Sequence, residues 1–232
     1  MDKETLKEWV KPYKDNSSHP YYRPFIAHDD QKKYNVFLVG INPATPIYSH
    51  EIDLDKYVEL LTDYEEFHKK YDEIRINQGK LKMSRTRIGI TSFVDEIEKR
   101  TGESTLETNV NSYPTKNKKE LKKVESEIIN HGFRLFYEVL MDHSPQVIIV
   151  HSKKGIEDLV KVLYKYNIID EQLFCKESVS EMESSKEPFI KLDYQNGKKG
   201  AVFVCRHLML HGYSGSSFSA FKDKVAAYLK DC

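Results

Sequence analysis

Four short apolar runs rich in β-branched residues punctuate the chain: Val36 to Ile41, Leu106 to Val110, Val147 to Val150, and Ala201 to Cys205. Each is bounded by turn or polar residues, the signature of a buried strand. Between them the apolar positions recur at helical spacing. Leu54, Tyr57, Val58, Leu61, Tyr64, Phe67, Tyr71 and Ile74 form one stripe, and Ile90, Phe93, Val94 and Ile97 a second. A third stripe runs from Leu121 through Val124, Ile128, Phe136 and Val139 to Leu140, with Gly132 as a candidate break. Ile156, Leu159, Val160 and Leu163 mark a fourth, and a last helix is predicted from Ser217 to the C-terminus. Such spacing places the apolar side chains on one helical face. Phe189 to Asp193 reads as an edge strand, joined to Ala201–Cys205 through Asn196-Gly197, a dipeptide suited to a tight turn. The polar stretch Glu177 to Glu187 is predicted to be a surface loop.

Strands alternating with helical crossovers imply a mainly parallel sheet covered on both faces. The expected fold is therefore α/β, a three-layer α/β/α sandwich around a four- to five-stranded sheet. At 232 residues the chain suits one domain, residues 1–232, with a full hydrophobic core. Lys plus Arg number 36 and Asp plus Glu also 36, so the global charge points to no polyanion and local charge has to decide. The cysteines, Cys175, Cys205 and Cys232, are odd in number and widely spaced, which supports neither a disulfide framework nor a Cys-rich metal or iron–sulfur centre. Met1 to Lys11 holds no apolar run of signal-peptide length, and no later segment approaches about 18 apolar residues. A soluble, cytoplasmic monomer with no membrane partner is the expectation.

In open α/β sheets, ligands bind beyond the carboxyl ends of the strands. Those exits here carry polar side chains: Gly40-Ile41-Asn42-Pro43, Thr108-Asn109-Val110-Asn111, His151-Ser152, and Arg206-His207. Taken singly each has a structural reading, because Asn-Pro is an ordinary turn and a strand-end His often caps backbone. Their shared topological position is what singles them out.

At these positions the sequence resembles the uracil-DNA glycosylase superfamily. Val36-Phe37-Leu38-Val39-Gly40-Ile41-Asn42-Pro43 is similar to that superfamily's first motif, a strand ending in Gly-Ile-Asn-Pro-Gly in the mismatch-specific type. Thr108-Asn109-Val110 followed by Tyr113-Pro114 is similar to the Thr-Asn-Val-Val segment of the iron–sulfur type, whose Asn reads the uracil edge. His207, a further His211, and the Gly/Ser-rich run Gly212 to Ser217 resemble a degenerate His-Pro-Ser leaving-group motif with its DNA-gripping loop. The resemblance spans Val36 to Phe221. It implies a base pocket at Gly40, Ile41, Pro43 and Asn109, and DNA contacts at Ser214 and Ser216. Three departures stand beside it. Ala44 and Thr45 occupy the place of a glycine, neither histidine is followed by Pro-Ser, and four suitable cysteines are missing.

Breaking an N-glycosidic bond builds positive charge on the sugar and negative charge on the base. Under the resemblance, the Asn42 amide oxygen holds a water beneath the sugar. A neutral Nε2–H of His207 or, alternatively, His211 donates to the departing O2. Asn109 donates to O4 and accepts from N3–H, and Tyr48, Phe93 or Tyr113 is the candidate ring to stack the base. No cofactor and no metal are implied; His207 and His211 lack the Glu of a zinc helix motif, and no Gly-rich phosphate loop is present. The expected partner is DNA, single- or double-stranded, gripped by Lys80, Lys82, Arg85 and Arg87, with a second lysine cluster from Lys116 to Lys123. The acidic helix after the first strand must face away from it. Without Pro-Ser a second reading stays open, a catalytically degenerate module that binds nucleic acid or a protein. An enzyme acting on another N-glycosidic substrate is the third.

Overall fold

All four predicted core strands form, within a few residues of their expected bounds. In a computed structural model describing residues 2–29, 33–170, 175–211 and 216–231, the strands are β1 (Phe25–Ile26), β2 (Val36–Gly40), β3 (Thr105–Asn109), β4 (Val147–His151), β5 (Ile190–Asp193) and β6 (Lys199–Cys205). The helices are α1 (Lys3–Val10), α2 (Leu54–Leu61), α3 (Tyr64–Asn77), α4 (Arg85–Thr101), α5 (Lys118–Leu121), α6 (Ser126–His143), α7 (Lys153–Lys165), α8 (Val179–Ser184) and α9 (Ser219–Asp231). The protein is mixed α/β, with six strands among the described residues instead of four or five. The residues group into two compact units. One takes Met1–Lys32, Ile41–Lys82 and Leu106–Asp142, the other Lys33–Gly40, Met83–Thr105 and His143–Cys232.

The second unit holds a ladder in the order β2-β4-β6-β5. β2 and β4 pair in parallel with Val36 opposite Val147, and β4 pairs in parallel with β6, Val147 opposite Ala201. β5 runs antiparallel along β6, Ile190 opposite Val202, as its edge position predicts. Its hairpin is longer than a two-residue turn. Tyr194 and Lys198 close it by hydrogen bond, and Gly197 adopts a φ of 80°, a left-handed position a glycine fills without strain. Val36, Leu38, Ile149 and Phe203 pack with Phe93, Val94 and Ile97 of α4 and Phe221 and Val225 of α9. The alternate residues Phe37, Val39, Ile148, Val150, Val202 and Val204 are buried too. Strands covered on both faces are why the runs read as continuous apolar stretches.

In the first unit β1 pairs antiparallel with β3, Phe25 opposite Thr108. The long acidic stripe is two helices, not one. α2 stops at Leu61, and the Asp63 side chain accepts from the Glu66 amide to start α3. Much of its acid is spent locally: Asp53 caps α2, Asp55 pairs with Lys7 of α1 at 2.5 Å, and Glu59 pairs with Lys3 at 3.2 Å. The third stripe also splits, at residues 122–125, while α6 runs unbroken through Gly132. That glycine is required by close approach: a Cβ there would lie 2.3 Å from Asn111 Oδ1.

Glu177–Glu187 is not simply a loop, since it contains α8. Ser178 accepts from the Glu181 amide while Glu181 reaches back to the Ser178 amide, a capping box that satisfies two orphan donors at once. No helix among the described residues is long and apolar enough to cross a membrane.

Candidate functional site

The segments that follow β2 and β3 lie side by side in the first unit. Asn111 N donates to Ile41 O at 3.0 Å, and Thr115 N donates to Pro43 O at 3.1 Å. Between those two ties sits Asn42, half-buried, with its Nδ2 donating to Thr115 Oγ1 at 2.9 Å and Pro43 O at 3.2 Å. The orientation of this amide follows from its partners. Thr115 already spends its own proton on Asn117 O at 3.1 Å, and Pro43 offers only a carbonyl, so both demand a donor. Nδ2 must therefore face them. The Asn42 Oδ1 meets no donor among the described residues and remains an acceptor for water or ligand.

Asn109 is the last residue of β3, half-buried, and its side chain makes no hydrogen bond to any described residue. Its neighbour Asn111 differs: it is buried, and its Oδ1 accepts from Tyr113 N at 2.8 Å while Nδ2 donates to Ile129 O at 3.4 Å. One amide at this exit is structural and one is uncommitted.

The three candidate rings part company. Tyr113 is buried in a cluster with Tyr22, Ile128 and Leu135, its hydroxyl lies 3.0 Å from His19 Nδ1, and burial pushes its phenol up to about 12. It lines the interior behind the loop. Phe93 belongs to the core of the second unit. Tyr48 alone is partly exposed, stacked on His50 at 5.4 Å, its phenol raised by burial and then by Glu51 and Glu120. Ile41 and Pro43 are buried beside Asn42.

In the second unit Gly40 closes β2, buried, and β6 leads into Arg206 and His207. Glu183 of α8 clamps this exit: it accepts from Arg206 Nε at 3.0 Å, Nη2 at 2.8 Å and the Arg206 backbone N–H at 2.6 Å. Glu183 is not legible from the apolar pattern, because α8 is too short to show a helical period; the Ser178-x-x-Glu181 spacing of its capping box is the available signal. His207 is half-buried and caps the 3₁₀ turn Leu208–Leu210, with Nδ1 accepting from Met209 N at 3.2 Å. An accepting Nδ1 leaves the proton on Nε2, the donor that the leaving-group role requires. His151 meets the His207 ring edge-on at 5.2 Å. His211 is placed differently. It is 2% exposed, stacked on Phe218, with Nε2 at 3.4 Å from Lys222 Nζ and 3.7 Å from Glu96 Oε1, inside a network where buried Lys222 pairs with Glu96.

The 3₁₀ turn sits against α4 because of Gly89, where a Cβ would meet Leu208 O at 1.9 Å. Met209 and Leu210 on that turn are 51% and 54% exposed. The four cations of the expected rim are divided. In the first unit Lys80 is half-buried and Lys82 is exposed, 3.9 Å from Asp72. In the second Arg85 is exposed at the start of α4 and Arg87 is half-buried two residues on. Ser216 is exposed, and Ser214 lies outside the described residues. Among the described residues no group of three or more His, Cys, Asp or Glu side chains is arranged to hold a metal ion.

No protein-family model matches this chain, and no curated protein matches it either.

Proposed function

We propose that the protein is a DNA glycosylase with a three-layer, uracil-DNA-glycosylase-like fold, hydrolysing the N-glycosidic bond of uracil or a related base flipped out of DNA. The observation that carries this reading is the Asn42 amide just after β2, locked by Thr115 and Pro43 with its oxygen meeting no donor among the described residues. That oxygen orients a water toward the sugar. As the bond between C1′ and the base nitrogen breaks, the electron pair leaves with the base, water oxygen bonds to C1′, and the water proton passes to solvent. His207 donates its Nε2–H to the O2 oxyanion as charge develops there, where a preorganised donor gains most. Asn109, whose amide bonds to no described residue, reads the O4 and N3–H edge. The exposed Met209 and Leu210 beside His207 are apolar side chains of the kind that occupy the gap left in the base stack.

The Asn109→Asp variant tests this directly. It replaces the donating NH₂ with a second acceptor, so uracil O4 would face a carboxylate oxygen. Uracil release is expected to fall by about 10- to 100-fold, in line with the roughly 1–3 kcal/mol that a bidentate contact discriminates. Cytosine presents the opposite edge, and its release should appear first in mispaired or single-stranded DNA. Unchanged uracil release in a variant that melts like the parent would remove Asn109 from recognition.

A further inference from the structure

Around the turn at Ala44 and Thr45 the first unit gathers positive charge that forms no ion pair with a carboxylate among the described residues. Arg23, 4% exposed, donates Nη1 to Ala44 O at 3.2 Å and Nη2 to Thr45 O at 3.0 Å, and its guanidinium lies over the rings of Phe67 and Tyr71 at 5.2 and 5.1 Å. Arg75 Nη1 and Lys80 Nζ converge on a single atom, Thr45 Oγ1, at 3.0 and 3.5 Å. Arg75 spends Nε on the carbonyls of Leu81 and Lys82, and Lys80 donates to Gln78 Oε1 at 2.6 Å, so every partner of the three cations is neutral. Glu51, whose charge reaches Lys80, is itself bound to Gln78 Nε2 and Tyr48 N, both at 2.9 Å.

An uncompensated buried cation is costly, which makes this loop a place where an anion is favoured. Thr45 adds two features. With two donors on its oxygen, the hydroxyl keeps a proton to give, and no acceptor for it exists among the described residues. Its φ of 57° is a left-handed conformation that a β-branched residue rarely adopts, and such strain gathers at ligand clamps. Neither the Ala44 nor the Thr45 backbone N–H has an acceptor among the described residues. Burial, and after it the charges of Arg75 and Lys116, holds the Lys80 ammonium below the usual lysine range, as expected where cations crowd together.

We infer that the Ala44–Thr45 turn, with Arg75 and Lys80, is a seat for one phosphoryl group. The seat does not depend on the glycosylase reading. A nucleic-acid backbone phosphate and a free or small-molecule phosphate present the same oxygens to it, and the experiment separates them.

The full-length protein is titrated with inorganic phosphate at constant ionic strength, read by thermal melting and by the Ala44 and Thr45 amide resonances. Tm should rise by roughly 5 °C or more once phosphate exceeds its Kd about a hundredfold, and both amides should shift. Thr45→Val keeps shape and charge and should weaken phosphate by about tenfold or more. Arg75→Gln with Lys80→Gln should abolish the response, while Lys56→Gln with Lys70→Gln, an equal loss of exposed charge, should leave it intact. No phosphate response in the folded parent, or parent-like affinity in Thr45→Val or in the Arg75/Lys80 variant, overturns the seat. Displacement of phosphate by unmodified oligothymidylate identifies the occupant as a nucleic-acid backbone. Phosphate binding without such displacement assigns the seat to a small phosphorylated ligand, and counts against the DNA reading but not against the seat.

Discussion

Two histidines four residues apart show how much one side chain's surroundings decide. His207 is half-buried, its Nδ1 accepting from Met209 N, whereas His211 is enclosed by Phe218, Lys222 and Glu96. Under the proposed chemistry His207→Ala should slow the single-turnover step by about 10²- to 10³-fold, since one oxyanion donor contributes about 2.7–4 kcal/mol, with little change in DNA affinity. His211→Ala should act on stability, lowering Tm while a folded fraction retains its rate. Rapid-quench kinetics beside melting curves on both variants check this, and equal, small rate effects would take histidine out of the mechanism. The sequence could not separate the two residues, because only the 3₁₀ turn after β6 sends one outward and the other into the core. The sequence did reveal Asn42 and Asn109, polar side chains directly at strand ends. It did not reveal Arg23, whose burial over Phe67 and Tyr71 depends on contacts remote in sequence.

Among the elements, α4 and the Leu208–Leu210 turn are joined through a glycine. Gly89→Ala would ordinarily strengthen a helix interior by about 1 kcal/mol. Here the added Cβ meets a backbone carbonyl, which cannot swing aside as a side chain would. Forced repacking of this kind costs about 1–3 kcal/mol, so Tm should fall by several degrees and His207 should lose its position along with the turn. A thermal melt and a base-release rate check both; a raised Tm would show that the turn gives way freely. Gly132 was misread as a break for a related reason. Glycine suggests weakness in a helix read by propensity, whereas α6 uses it to admit Asn111. Helix α8 was missed because its six residues are too few for an apolar period, although its capping box was present. The Asp63 cap likewise stood within the acidic stripe that it divides.

For the molecule as a whole, the α/β class and the core strands were legible because strands buried on both faces carry an unmistakable run of Val, Ile, Leu and Phe. β1 was not: it is two residues long, paired only by the Phe25 and Ile26 register with β3. Balanced charge hid the local excess around Thr45, since Arg23, Thr45 and the Arg75–Lys80 segment are separated by tens of residues and meet only in the fold. Base excision is read out by incubating the purified protein with single-stranded and duplex oligonucleotides. Each carries one uracil or related modified base, and abasic sites are read by alkaline strand scission. Scission is expected at the uracil position without added cofactor, and Asn42→Ala or His207→Ala should suppress it. Binding of these oligonucleotides with no abasic site at any base would contradict it and leave a nucleic-acid-binding module in its place.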